Sequence, residues 1–249
     1  MTKPGRRVAI VAAMPEELSA LLQAMPPDQV VQRAGRTFHL SHWCGHEVVA
    51  VLSRIGKVAA ATTTTLLLSE FGVGRVLFTG VAGGLGEGVN VGDVVVADAL
   101  LQHDMDASPL FPRYELPGLG LDRLWADADL VRLAGQAAAE VLAEAHLHGL
   151  APTVARLHQG LVVSGDIFVD TSGESEALRL ALPDALAVEM EGAALAQVCH
   201  DFGVPFAVIR TISDRADEAA HVDFQRFVLD VASRYSLAVV RAVLARLPP

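Results

Sequence analysis

Short apolar runs rich in β-branched residues alternate along this chain with longer stretches in which Ala and Leu recur at helical spacing. The runs predict strands over residues 8–13, 47–53, 76–80, 93–97, 160–164 and 206–211. The stretches between or after them predict helices over 16–24, 59–70, 130–145, 191–202 and 224–247. Such alternation is the pattern of an α/β domain with a central, largely parallel sheet covered on both faces. Pro15 suits a first helical position, and Gly72 and Gly203 stand where helices should stop. Phe224, Phe227, Val231, Tyr235, Ala238 and Ala242 repeat along one face of the last helix. Residues 102–125 carry Pro109, Pro112, Pro117, Gly118 and Gly120 without periodicity. A loop of that length is functional, an interface or an insertion. No repeat or linker divides the chain, which fits one domain over residues 1–249.

Composition narrows the class. Hydrophobic residues make up 52% of the 249 residues but aromatic ones only 5%, so the core must be built from Ala, Val and Leu. A chain of this size buries about 75% of its unfolded surface and needs no staples. A formal net charge of −10, with no local basic patch, argues against nucleic acid. Cys44 and Cys199 lie far apart, without the spacing of a zinc or redox motif, which points to a reduced, cytoplasmic protein. The basic start at Lys3, Arg6 and Arg7 leads into an apolar run too short for a signal peptide, and no run reaches the ~18 residues of a membrane helix.

Candidate chemistry sits where strands end, because ligands of open α/β sheets bind beyond the strands' carboxyl edges. Pro15-Glu16-Glu17 follows the first strand and places two carboxylates in a first helical turn, where either could simply complement the helix dipole. Thr79-Gly80-Val81-Ala82-Gly83-Gly84 reads as a flexible turn that a ligand could approach closely, or as tight-turn glycines alone. Val163-Ser164-Gly165-Asp166-Ile167-Phe168-Val169 runs from strand to polar turn to an aromatic that could stack on a planar ligand or pack in the core. Glu189 and Glu191 are set in an apolar run, where an ionised carboxylate is costly unless a protein group or a ligand answers it. Arg210, inside an apolar strand, needs an anion, with Glu17, Glu189, Glu191 and Asp214 as candidates. Ser213 and Asp214 end that strand or cap a following helix.

Taken together with Ile55-Gly56-Lys57-Val58 and Val91-Gly92-Asp93, these segments in this order resemble the nucleoside phosphorylase and nucleosidase family. The likeness covers almost the whole chain and is strongest to members acting on 5′-methylthioadenosine and S-adenosylhomocysteine. It implies a three-layer α/β/α sandwich with a mixed, largely parallel sheet, and a homodimer whose partner chain closes the site. It also implies hydrolysis of an N-glycosidic bond, with release of adenine and a thioribose. Asp214 would be the general acid at adenine N7, and Glu17 the general base for water. Glu191 would take the ribose hydroxyls, Met190 would pack on the sugar, and Phe168 would stack on adenine. The backbone of Val169 would read the adenine edge, while Ser213 and Arg210 hold Asp214, Glu17 or the water. Ile55, Val81 and Phe224 complete the substrate site, and neither metal nor organic cofactor is required.

The chain departs from the family pattern at Val81, where many nucleosidases have Ser, and at Pro15, where an acidic residue is usual. The segment 103–110, with His103, Asp104 and Asp106, resembles the part of the family that reaches the partner subunit; read alone it could hold a metal. A phosphorylase would need cationic or multiple N–H donors for phosphate. Related phosphorylases carry an Arg where Phe78 stands here, and Glu17 would repel the anion. Hydrolysis of another nucleoside such as futalosine, and a non-catalytic binding protein on the same scaffold, are the other readings.

Overall fold

The computed structural model describes residues 6–147, 155–217 and 233–248. Its strands are β1 (Arg7–Ala12), β2 (Gln29–Arg33), β3 (Arg36–Trp43), β4 (His46–Leu52), β5 (Val73–Gly84), β6 (Val94–Gln102), β7 (Leu124–Trp125), β8 (Leu157–Ser164), β9 (Ala185–Glu189) and β10 (Phe206–Asp214). Its helices are α1 (Pro15–Ala24), α2 (Lys57–Glu70), α3 (Ala128–Leu147), α4 (Ser172–Ala181), α5 (Gly192–Phe202) and α6 (Ser233–Leu244). Pro15 does open α1, and Gly203, at φ 65°, ends α5 in the left-handed conformation. Phe224, Phe227 and Val231 lie outside the described residues, so α6 shows only the later part of the helix expected there.

All strands belong to one ten-stranded sheet. From β5 it continues through β1, β4, β3 and β2 on one side, while β5, β9, β8, β6 and β10 pair into a closed ring on the other. The expectation of a largely parallel sheet is corrected here. Parallel pairing joins β1 to β4 and β5, β5 to β10, and β8 to β6 and β9. Antiparallel pairing is as frequent, joining β3 to β2 and β4, β6 to β7 and β10, and β5 to β9. Two causes can be named. The β2–β3–β4 meander follows from short connections that allow only antiparallel neighbours, and β9 crosses β5 only at Gly83 and Gly84.

Apolar positions on alternate residues of each strand feed opposite faces. Val8, Ile10 and Ala12 of β1 join a core with Leu18 and Leu21 of α1, Ala134 and Ala138 of α3, and Val239 and Val243 of α6. Ala9 and Val11 point the other way, toward Leu67 of α2 and Leu195 and Cys199 of α5. A third cluster under α4 contains Leu161, Val163, Val188 and Leu182. The expected glycine turn is not a turn: β5 stays extended to Gly84, paired with β10 from Val76↔Phe206 to Gly83↔Asp214. That length, with the crossing of β9 over its end, brings Gly83, Val188 and Asp214 to one point.

Candidate active site

A cleft opens over that point. Met14, Ile55, Val81, Ala82 and Gly83 line one wall, and Ile167, Phe168, Val169, Val188, Glu189, Met190, Glu191, Ser213 and Asp214 the rest.

The two carboxylates of the 189–191 run have separate duties. Glu189, at the end of β9, is answered entirely by protein. Its Oε2 accepts from Arg210 Nη2 at 2.7 Å and Gly192 N at 2.8 Å, and its Oε1 accepts from Ser164 Oγ and from Gly192 N at 3.0 Å. Arg210 is 1% exposed and its guanidinium also lies 4.1 Å from the Phe78 ring centroid. Arg210, expected to hold Asp214, Glu17 or the water beside the substrate, instead pairs with Glu189 and does not line the cleft, while its charge also acts on Glu17 beneath Gly80. Breaking a buried pair of this kind costs about 3–5 kcal/mol, because one charge is left unanswered.

Glu191 stands one residue before α5 and faces the cleft. Its Oε1 accepts from Gly56 N at 2.8 Å. Burial, and then the neighbouring Glu189 charge, push its carboxyl up to about 8. Glu17, in the first turn of α1, turns back under the cleft floor. Its Oε2 accepts from Ala13 N at 2.9 Å and Met14 N at 3.0 Å, and its Oε1 from Val81 N at 3.0 Å. Burial raises its carboxyl above the ordinary value, opposed by those backbone donors and by the Arg210 charge. Asp214 accepts from Ser213 Oγ at 2.8 Å through Oδ2 and from Ala216 N at 2.8 Å through Oδ1.

The small residues of β5 make room for these carboxylates. A Cβ on Gly80 would lie 3.0 Å from Glu17 Oε1, and one on Gly83 would lie 2.9 Å from Asp214 Oδ1. Glycine is needed here for close approach of strand and carboxylate, a use that the sequence alone presented as turn-making.

Of the residues singled out from sequence, Asp214, Glu191, Met190, Phe168, Val169, Ser213, Val81 and Ile55 meet at the cleft, with Glu17 directly beneath Val81. Phe224 lies outside the described residues. Sequence reasoning gave no role to a polar hub at the rim. Asp104 accepts from Lys57 Nζ at 2.6 Å and from Asp166 N at 3.0 Å, while Asp166 Oδ1 accepts from Lys57 N at 2.8 Å. The hub ties the strand-ending segments around 56, 104 and 166, and so holds Gly56 against Glu191 and Ile167-Phe168 against Ile55. Asp104 is committed to Lys57 and Asp166, and Asp106 accepts from Ser108 N, which occupies the carboxylates that suggested a metal. The available signal was a charged residue in each of three motifs that the fold brings together.

The model of the phosphorylase superfamily matches residues 7–245. The chain belongs to that superfamily. A relative from Geobacillus thermodenitrificans, a 5′-methylthioadenosine/S-adenosylhomocysteine nucleosidase, is 40% identical over 239 residues, covering 96% of each chain. The crystal structure of the same enzyme from Neisseria meningitidis, in complex with methylthio-immucillin-A, is similar with a TM-score of 0.87 and 36% identity, covering 97% of this chain and 100% of that one. A futalosine hydrolase of Helicobacter pylori matches with a TM-score of 0.85 and 35% identity, over 97% of this chain and 98% of that one. Superfamily membership agrees with a mixed α/β domain bearing a cleft at its strand ends.

Proposed function

We propose that this superfamily member hydrolyses the N-glycosidic bond of 5′-methylthioadenosine and S-adenosylhomocysteine, releasing adenine and the 5′-thioribose product. The observation that carries the reading is the pairing of two differently housed carboxyl groups, Glu17 beneath Val81 and Asp214 beside Gly83, on one strand end. Relatives of this activity align with the chain over nearly its full length. Departure of adenine requires a proton on the base and a water at C1′, so an acid and a base must coexist. Asp214, held by Ser213 and Ala216, serves as the acid at adenine N7. Burial raises the Glu17 carboxyl above its ordinary value while three backbone donors favour its ionised form, so as a carboxylate it is a basic one suited to taking a proton from water. Glu191 takes the ribose hydroxyls, Met190 packs on the sugar, and Phe168 with the Val169 backbone receives adenine. At Val81 only the backbone contributes, through the N–H that it donates to Glu17.

Water is favoured over phosphate as nucleophile because Glu189, Glu191 and Asp214 line the cleft, Glu17 lies beneath Val81, and Arg210 is already paired with Glu189. No organic cofactor or metal is needed for that chemistry. The same reading takes residues 1–249 as one three-layer α/β/α domain. It places the protein in the cytoplasm, in keeping with the free thiols of Cys44 and Cys199 and the absence, among the described residues, of a helix long and apolar enough to cross a membrane. The reading also makes the protein a homodimer. Ile55, Val58, Ile167 and Phe168 leave apolar surface exposed around the cleft mouth, where a second copy would cover it. The likeness to a futalosine hydrolase supports a second reading, in which the same residues act on futalosine.

Chromatography of methylthioadenosine incubations with and without phosphate tests the assignment. Free methylthioribose without phosphate is the expected result. Ribose 1-phosphate chemistry appearing only with phosphate would make the protein a phosphorylase, and turnover of futalosine alone would select the second reading.

A further inference from the structure

Two successive backbone N–H groups at the start of α2 go to two different carboxylates. Gly56 N donates to Glu191 Oε1 at 2.8 Å, in the cleft, and Lys57 N donates to Asp166 Oδ1 at 2.8 Å, at its rim. The first N–H groups of a helix have no intrahelical acceptor, and Gly56, at the cap position, has no side chain to offer one. Nor does the first turn of α2 carry an acidic residue. Asp166 therefore caps α2 from the segment after β8, the segment that also carries Ile167 and Phe168.

Gly56 fits this arrangement closely. Its φ of 96° is open to glycine at little cost, and a Cβ there would lie 3.1 Å from Asp166 Oδ1. Asp166, Ile167 and Phe168 are exposed, so packing does little to hold their segment and directional bonds matter more. Asp166 supplies two of them, accepting from Lys57 N and donating its own N–H to Asp104 Oδ2 at 3.0 Å. Lys57 Nζ closes the frame on Asp104 Oδ1 at 2.6 Å and also donates to Gln102 Oε1 at 3.1 Å. The Gln102 amide donates in turn to Gln197 of α5, the helix that Glu191 precedes. On the inner side the chain enters Asp166 through Gly165, where a Cβ would collide with the His103 ring.

Asp166 does not line the cleft, yet one of its bonds bears on each half of it. Burial and then Glu189 push the Glu191 carboxyl up to about 8, and among the groups opposing that rise the Gly56 N–H acts most strongly. We propose that Asp166 is a positioning residue that aligns the ribose acceptor Glu191 with the adenine platform at Phe168, so that the two halves of the nucleoside site form together. Without its carboxylate the start of α2 is free to turn Gly56 N away from Glu191, and the Phe168 segment loses its tie to α2. This inference rests on the nucleosidase reading above, which puts ribose on Glu191 and adenine on Phe168.

The test measures equilibrium binding of methylthioadenosine in an Asp214→Asn parent, where hydrolysis is slowed. Asp166→Ala is expected to weaken binding about tenfold, and Asp166→Asn, which keeps an oxygen for the Lys57 N–H, to recover most of that loss. Added to Glu191→Ala, which has no carboxylate to orient, Asp166→Ala should cost only about threefold, the part that acts through the adenine segment. A merely structural role makes the two losses multiply, and that result would overturn the alignment and leave Asp166 as a helix cap alone. Asp104→Ala removes the acceptor of the Asp166 N–H and should repeat the pattern, which keeps the test decisive if Asp166→Ala does not fold. If the parent shows this coupling while the wild-type protein releases no adenine, the hydrolytic reading falls and the alignment stands. A parent that binds no methylthioadenosine would overturn both.

Discussion

At the scale of single residues, the site is an exercise in giving four carboxyl groups four environments. Asp214→Asn keeps the shape but has no proton to give. Adenine release is expected to slow by about 10²–10⁴-fold with little change in substrate affinity, measured by single-turnover adenine formation and by binding to the inactive variant. Near-normal turnover would remove Asp214 as the acid. Glu191 offers a test through stability. Its folded-state carboxyl is pushed up to about 8 from an ordinary 4.5, so ionisation opposes folding. Below about pH 4.5 both folded and unfolded chains hold the proton and no effect arises. Between there and about pH 8 the unfolded chain ionises while the folded one does not, so stability falls as pH rises; above about 8 the full penalty is present. Glu191→Gln has no such dependence. Its melting temperature relative to wild type should climb by several degrees between pH 5 and 8.5, and a pH-independent difference would contradict the burial assigned to Glu191.

At the scale of elements, β5 carries the design. Adding a Cβ at Gly80 would set it 3.0 Å from Glu17 Oε1 and force the carboxylate off its bonds to Ala13, Met14 and Val81. Gly80→Ala is expected to lower kcat by about 10- to 100-fold through that displacement. Chemical denaturation should meanwhile show only a small stability change, since Ala is otherwise at least as good as Gly inside a strand. Equal losses of rate and stability would instead assign Gly80 to packing. The same strand shows what could be read from the chain and what could not. Its apolar first half, 76–80, was legible as a strand, but its second half, rich in Gly, has the local signature of a turn. Only the carboxylates of Glu17 and Asp214, brought in from α1 and β10, explain why side chains are missing there. β2 was hidden because its residues are mostly exposed and carry little period, and β9 because its five residues merge into the 189–191 run. Glu17, Glu191 and Asp214 stood out as carboxylates in apolar company. The partner of Arg210 did not, since choosing Glu189 among four acidic candidates depends on both β9 and β10 pairing with β5 in the ring.

At the scale of the whole molecule, the cleft is built on one chain but its mouth is not covered by it. Val58 is 77% exposed and Ile55 59%, on the segment whose Gly56 N–H holds Glu191. Ile167 and Phe168 are exposed beside them, fastened there by the bonds of Asp166 to Lys57 and Asp104. Isolated apolar residues on a surface need no explanation, but a cluster around a binding cleft, joined by its own hydrogen-bonded frame, favours association. If a second copy covers it, a charge at Val58 would be buried in the interface, whereas its exposed side chain makes none of the hydrogen bonds that hold Glu191. Val58→Glu is therefore expected to move the protein from dimer to monomer in sedimentation equilibrium. It should raise KM for methylthioadenosine by about tenfold, because the 5′ end loses its cover, while the circular-dichroism spectrum stays unchanged. A wild-type protein that sediments as a monomer with full activity would show instead that the cluster serves the ligand alone, and that this cleft needs no partner to close it.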